Sequence, residues 1–192
     1  MYEQLHPHVL DVLSIPTSEL PPVHQSRIHI FSSVVATFFA PSDPCGISGM
    51  HHERIHATPL WHGDCPHYDC VYVTTGPEHG MCGMHSARVR LLFSFVYQQL
   101  IYNCAFVEWF VRSDNHPDPE TGMWVVEPEF DNNGHISSLV IDVDTIIRSA
   151  HLIPVFGNIT LPSTFHFSDS LDTFSAYYVN QFADHHTFEL VV

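Results

Sequence analysis

The chain has 192 residues, 45% of them apolar. It has six arginines and no lysine against 21 Asp plus Glu, for a formal charge of −15 with neutral histidine. That balance argues against binding to nucleic-acid phosphates or anionic membranes, which need clustered Lys and Arg, and it suits a basic protein partner or simple solubility. No stretch reaches the ~20 apolar residues of a membrane span, and Met1–Pro7 lacks the basic-then-apolar order of a secretory signal.

Residues 1–26 hold Pro7, Pro16, Pro21 and Pro22 and read as an arm or linker before a single domain over 27–192. Arg27–Ala40, rich in Ile, Val, Thr and Phe, predicts a strand. Pro41–Gly46 breaks it. Gly46–Asp69, crowded with His, Gly and Pro, shows no sustained period and reads as a long loop with at most a short strand near Arg54–Ala57. Tyr68–Thr75 is a strand.

In Ala87–Tyr97, residues Val89, Leu91, Phe93, Phe95 and Tyr97 alternate with Arg88, Arg90 and Ser94. A short turn at Gln98-Gln99 leads to Ile101–Arg112, apolar on both faces and therefore a central strand. After the polar loop Ser113–Gly122 come a strand over Gly122–Phe130, an Asn133-Gly134 hairpin signal, and strands over Ser138–Asp142 and up to Pro154. Leu171, Phe174, Tyr178 and Phe182 recur at helical spacing after Ser168 or Asp169, which predicts a closing amphipathic helix over Asp169–Asp184. Phe188–Val192 would add a last strand. The expected fold is α+β and β-rich: a bent antiparallel sheet or small barrel capped by a C-terminal amphipathic helix. Its core would hold Phe93, Phe95, Phe106, Trp109, Phe110, Trp124, Val125, Ile141, Ile146 and Ile153.

Three constellations carry ligand chemistry. Cys65, Cys70, Cys82 and His85 follow C-x4-C-x11-C-x2-H, with His62, His67 and His79 among them. These are zinc-ligand types without a Cys-x2-Cys knuckle, and Cys70 sits in a strand as a buried free thiol would. The loop histidines His51, His52, His56 and His62 form a second group, but HHERIH is not an HExxH helix. Asp142 and Asp144 with Asp184, His185 and His186 resemble the metal-binding motifs of DHH phosphoesterases, which would make a metal-dependent hydrolase. In that family each motif follows a parallel strand, and here they fall in a β-rich stretch and beside a helix. Nucleophile elbows and phosphate loops are absent, and a chain without lysine excludes Schiff-base chemistry. The most acidic neighbourhood, Asp114, Asp118, Glu120, Glu127 and Glu129, is the candidate contact face for a basic partner.

Five cysteines are an odd number, and with no signal peptide they read as reduced thiols in the cytosol or nucleus. Protonating all 17 histidines would bring the charge from −15 to −15 + 17 = +2, so solubility is expected to fall near pH ~5–6.

Arg27–Asp43, His52–Thr58, Tyr68–Val73, Ala87–Phe95, Cys104–Phe110, Thr121–Pro128, Asp144–Gly157 and Asp169–Leu190 together resemble the C-terminal region of transposon-derived Plavaka/KDZ-type proteins of mushroom-forming fungi. The resemblance implies a terminal domain of a longer protein, without the nuclease part of a transposase and with no catalytic residues to carry over. The strands around Trp109 and Trp124, followed by Asp144–Pro154, are also similar to bromo-adjacent-homology modules, β-barrel interaction domains of chromatin proteins. The functional expectation is a non-catalytic interaction module that binds a basic partner, a histone or a transposase. The alternatives are the metal-dependent hydrolase and a transposon relic without selected function. No cofactor is expected on the main reading, and zinc on the alternative.

Overall fold

The computed structural model describes residues 27–41, 48–61, 63, 65–157, 160, 161 and 163–192. The arm at 1–26, Cys45 and His62 lie outside them.

The fold is built on one long hairpin. Strand β6 (Met84–Tyr97) pairs antiparallel with β7 (Leu100–Arg112) along nearly its whole length. Both central residues of its turn, Gln98 at φ 47° and Gln99 at φ 65°, are left-handed, the twist a two-residue hairpin requires. Each long strand then takes two partners end to end. β6 pairs with β5 (Cys70–Thr74) over its first half and with β1 (Ile28–Phe31) over its second. β7 pairs with β9 (Ser138–Asp142) over its middle and with β8 (Val125–Pro128) near its end. Hence β7 is central, as its two apolar faces predict. β10 (Ile146–Ala150) extends the sheet beyond β5, while β12 (Tyr177–Val179) and β11 (Leu152–Pro154) extend it beyond β8. A second sheet, β2 (Ser33–Phe39), β3 (Met50–Trp61) and β4 (Cys65–Tyr68), folds against the first. The result is a β-rich, bent antiparallel, barrel-like sheet with a C-terminal helix, His185–Val191.

The alternation read along β6 breaks at Arg90. A bulge there shifts the register from Val89 opposite Val107 to Leu91 opposite Phe106. Before the bulge, Ala87 and Val89 face a core of Ile55, Ala57, Val71 and Ile141, which Leu92 joins after it. Beyond the bulge, Phe93 turns to Cys104 and Val140, with Leu91, Phe95 and Phe106 packed around them. A third core, on Tyr72, Met81, Phe110, Val126, Tyr177 and Val179, supports the C-terminal segments. Of the expected core residues, Phe93, Phe110, Trp124 and Ile141 are buried, and the other six are partly exposed.

Two expectations are corrected. The stretch read as a loop holds the 12-residue β3. The helix expected over Asp169–Asp184 is one short turn of helix, Ser170–Thr173, followed by β12, and the closing helix begins only after Asp184 and takes in Phe188–Val191.

Candidate functional site

A groove of about 340 Å³ opens between the β7–β8 edge and the Ser170–Thr173 helix. That is the lower range of ligand pockets, with room for roughly ten waters. Its walls are Trp109 and Phe110 from β7, Phe130 and Ile136 from the hairpin beyond β8, and Leu171 and Phe174 from the helix segment. Phe130 and Ile136 stay solvent-exposed although both are large and apolar. Glu108 and Asp172 line it with Arg88, and Glu127 borders it, its partner Val111 placing it on the sheet face away from Glu108 and Phe110.

The backbone accounts for this gathering. Glu108 and Phe110 alternate on one face of β7, and Phe110 lies opposite Pro128 in the β7–β8 ladder. The bridge between Phe130 and Ile136 carries both side chains beyond that ladder. Arg88, buried on β6, holds Asp172 through two hydrogen bonds of 2.6 and 3.2 Å and so anchors the helix turn over the strands. The Arg90 side chain meets Glu108 at 3.4 Å and lies 4.5 Å over the Tyr68 ring.

The five predicted contact residues divide. Glu127 borders the groove and accepts from Ser113 Oγ at 2.9 Å. Glu129 follows on the same strand end, where its amide donates to the Trp109 carbonyl. Asp114, Asp118 and Glu120 lie on the neighbouring loop. Asp114 accepts from the Asn115 amide, and Asp118 accepts from Thr121 N and Oγ1 at 2.9 and 2.7 Å. The Thr121 hydrogen bonds hold the Asp118 carboxyl below its usual range. Glu108 and Asp172 were not singled out in the sequence. Each sits alone in an apolar run or a short helix, and only the register brings them together.

The four cysteine and histidine positions read as a zinc set do not converge. Cys70 is buried in the sheet between Arg88 and Ala150, and burial pushes its thiol up to about 12. Cys82 is exposed on the turn after His79, where Arg112 donates to its sulfur at 3.5 Å. His85 packs edge-on against Trp109. Cys65 on β4, Cys70 on β5, His85 on β6 and Cys82 on a turn thus do not gather into one ligand set.

The acidic and histidine set read as a hydrolase is likewise divided. Asp142 caps its own turn by accepting from the Asp144 amide. Asp184 caps the closing helix and accepts from both terminal nitrogens of buried Arg148 at 2.9 and 2.7 Å. His186 stacks on Phe38, and His185 pairs with Glu189. Arg148 also meets Glu53 of β3, whose carboxylate accepts from the Ser149 amide and hydroxyl. These groups tie the two sheets and the closing helix together.

Among the described residues, the group whose ligand atoms approach within 4.8 Å of one another is a different one: His56, His67 and Asp69. Asp69 stands at the corner where β4 passes into β5. One carboxylate oxygen accepts from the His56 amide at 2.7 Å and meets its Nδ1 at 3.0 Å. The other meets His67 Nε2 at 2.8 Å. The Trp61 ring flanks both imidazoles.

No protein-family model, curated protein or solved structure matches the chain at a significant level. Among the described residues, no helix is long and apolar enough to cross a membrane.

Proposed function

We propose that the chain is a non-catalytic interaction module of a transposon-derived protein and that it takes an Arg/Lys-rich segment of a protein partner, a histone or a transposase, into the β7–β8 groove. The observation that carries this reading is the groove's combination of aromatic walls with the carboxylates of Glu108 and Asp172, and with Glu127 at its border. Aromatic faces attract guanidinium and ammonium groups, and acidic rims steer them there. Glu127 meets no cation among the described contacts. The excess of 21 acidic over six basic side chains adds a long-range attraction of the same sign.

The test is a titration with an Arg/Lys-rich peptide and a neutral peptide of equal length, at low and high salt. The basic peptide alone should bind, and more weakly at high salt as screening shortens the field. Glu127→Gln combined with Glu108→Gln should weaken binding about tenfold, the size of one or two partly exposed charge contacts. Equal binding of both peptides, or an unchanged affinity in the double variant, would refute the assignment.

A further inference from the structure

We infer that His56, His67 and Asp69 form a binding site for a divalent first-row transition-metal ion, with Zn²⁺ the natural occupant, and leave one coordination position for water. This is a separate site from the groove and does not depend on the function proposed for it.

The site follows from strand geometry. Within the three-stranded sheet, β3 and β4 pair antiparallel, with Thr58 opposite His67 and the Asp69 amide donating to the His56 carbonyl. Residues two apart share a face, so His67 and Asp69 stand together on one strand and His56 beside them on the other. The chain supplies two imidazoles and one carboxylate, the donor set of open zinc and related sites, rather than the all-oxygen set of Ca²⁺ or Mg²⁺.

Distances support the assignment. A tetrahedral ion with bonds of about 2.0–2.1 Å holds its ligand atoms about 3.3 Å apart. His56 Nδ1 lies 3.0 Å from one Asp69 oxygen and His67 Nε2 2.8 Å from the other, and one ligand atom from each of the three residues falls within 4.8 Å of the rest. Side-chain rotation on the order of an ångström brings one atom from each to the tetrahedral spacing. In the ion-free chain these two nitrogens face the Asp69 carboxylate as donors, so ion binding requires each imidazole to give up that proton and take one on its far nitrogen.

The surroundings fit as well. The His56 side chain is 16% exposed, Asp69 24% and His67 40%, so the ligands are held from within and reached from one side. The Trp61 ring packs 4.4 Å from His56 and 5.0 Å from His67 between ring centroids and limits their rotation. The amide of His56 keeps one carboxylate oxygen in place, the outer support that metal-binding carboxylates need.

The experiment uses the full chain purified without a histidine tag, titrated with Zn²⁺ alone and, in parallel, with Co²⁺ as a spectroscopic substitute. The expected result is one ion per chain, with visible Co²⁺ absorption of four-coordinate intensity. His67→Gln, at the most exposed ligand, should weaken that ion about a hundredfold and abolish the absorption while the circular dichroism stays unchanged. Asp69→Asn should do the same. If Asp69→Asn does not fold, because that residue also forms the β4–β5 corner, His67→Gln decides. Binding in folded His67→Gln equal to wild type, or a Co²⁺ spectrum of only weak six-coordinate type, would assign the ion to scattered surface histidines and overturn the site.

Discussion

At the residue scale, burial decides which side chains can react. Desolvation pushes the thiols of Cys70 and Cys104 up to about 12, so both are protonated and shielded at neutral pH. Cys82 is exposed. A thiol reagent at pH ~8, near the ordinary cysteine range, should modify Cys82 within minutes and reach Cys70 and Cys104 only after denaturation. Peptide mapping reads this directly, and early labelling of Cys70 would contradict the burial described. The turn at Gln98 and Gln99 carries a second residue-scale consequence. Two non-glycine residues sit at positive φ, which disfavours side chains with a Cβ. Replacing them by Asn-Gly should raise the unfolding free energy by about 1 kcal/mol, measured by urea denaturation. The turn was legible in the sequence as a break between two apolar runs. The bulge at Arg90 was not, because an inserted residue leaves no mark when apolar residues lie on both sides of it.

At the scale of elements, the sequence showed strands wherever apolar side chains alternate and misread them where polar ones point inward. β3 turns Glu53 inward on the same face as buried Ile55 and Ala57, while partly covered His56 lies on its other face, so neither face reads as a clean apolar alternation in sequence. The aromatic residues of 171–182 fit a helix period, yet Tyr177 and Val179 are fully buried in β12, where backbone pairing with β8 and β11 overrides the local pattern. The same lesson applies to the candidate sites: ladder register, rather than motif spacing, gathers Asp69 with His56 and sets Glu108 and Phe110 on one face with Pro128. Glu53 also occupies the free edge of β10 through the Ser149 amide. Glu53→Ala should therefore lower stability by about 2–3 kcal/mol, since it leaves that amide and part of the Arg148 charge unpaired. Asp184 links stability to acid. Burial alone would raise its carboxyl, but hydrogen bonds from Arg148 and Thr187 and the Arg148 charge outweigh it and hold the group at about 2, well below the ordinary aspartate range. A carboxyl depressed on folding stabilises the native state fully above its unfolded pKa, and that contribution is lost as pH falls through the folded one. The stability difference between wild type and Asp184→Asn should thus be constant above pH ~4 and shrink between about pH 4 and 2. A difference unchanged down to pH ~2 would show that Arg148 does not hold the carboxylate in solution.

At the scale of the whole molecule, charge and fold act together. The bent double-sheet body carries three separate apolar cores, and its helices are short. The net charge of −15 was legible from composition alone. What composition could not show is where that charge meets exposed aromatic surface. The β7–β8 groove is such a place, with exposed Phe130 and Ile136 lining it together with Glu108 and Asp172. The most direct measurement is the affinity of an Arg/Lys-rich peptide for the full chain at two salt concentrations, for wild type and for the Glu108→Gln, Glu127→Gln variant. The expected result is salt-sensitive binding that weakens about tenfold in the variant. Binding that ignores both salt and the two substitutions would contradict the groove as the seat of recognition.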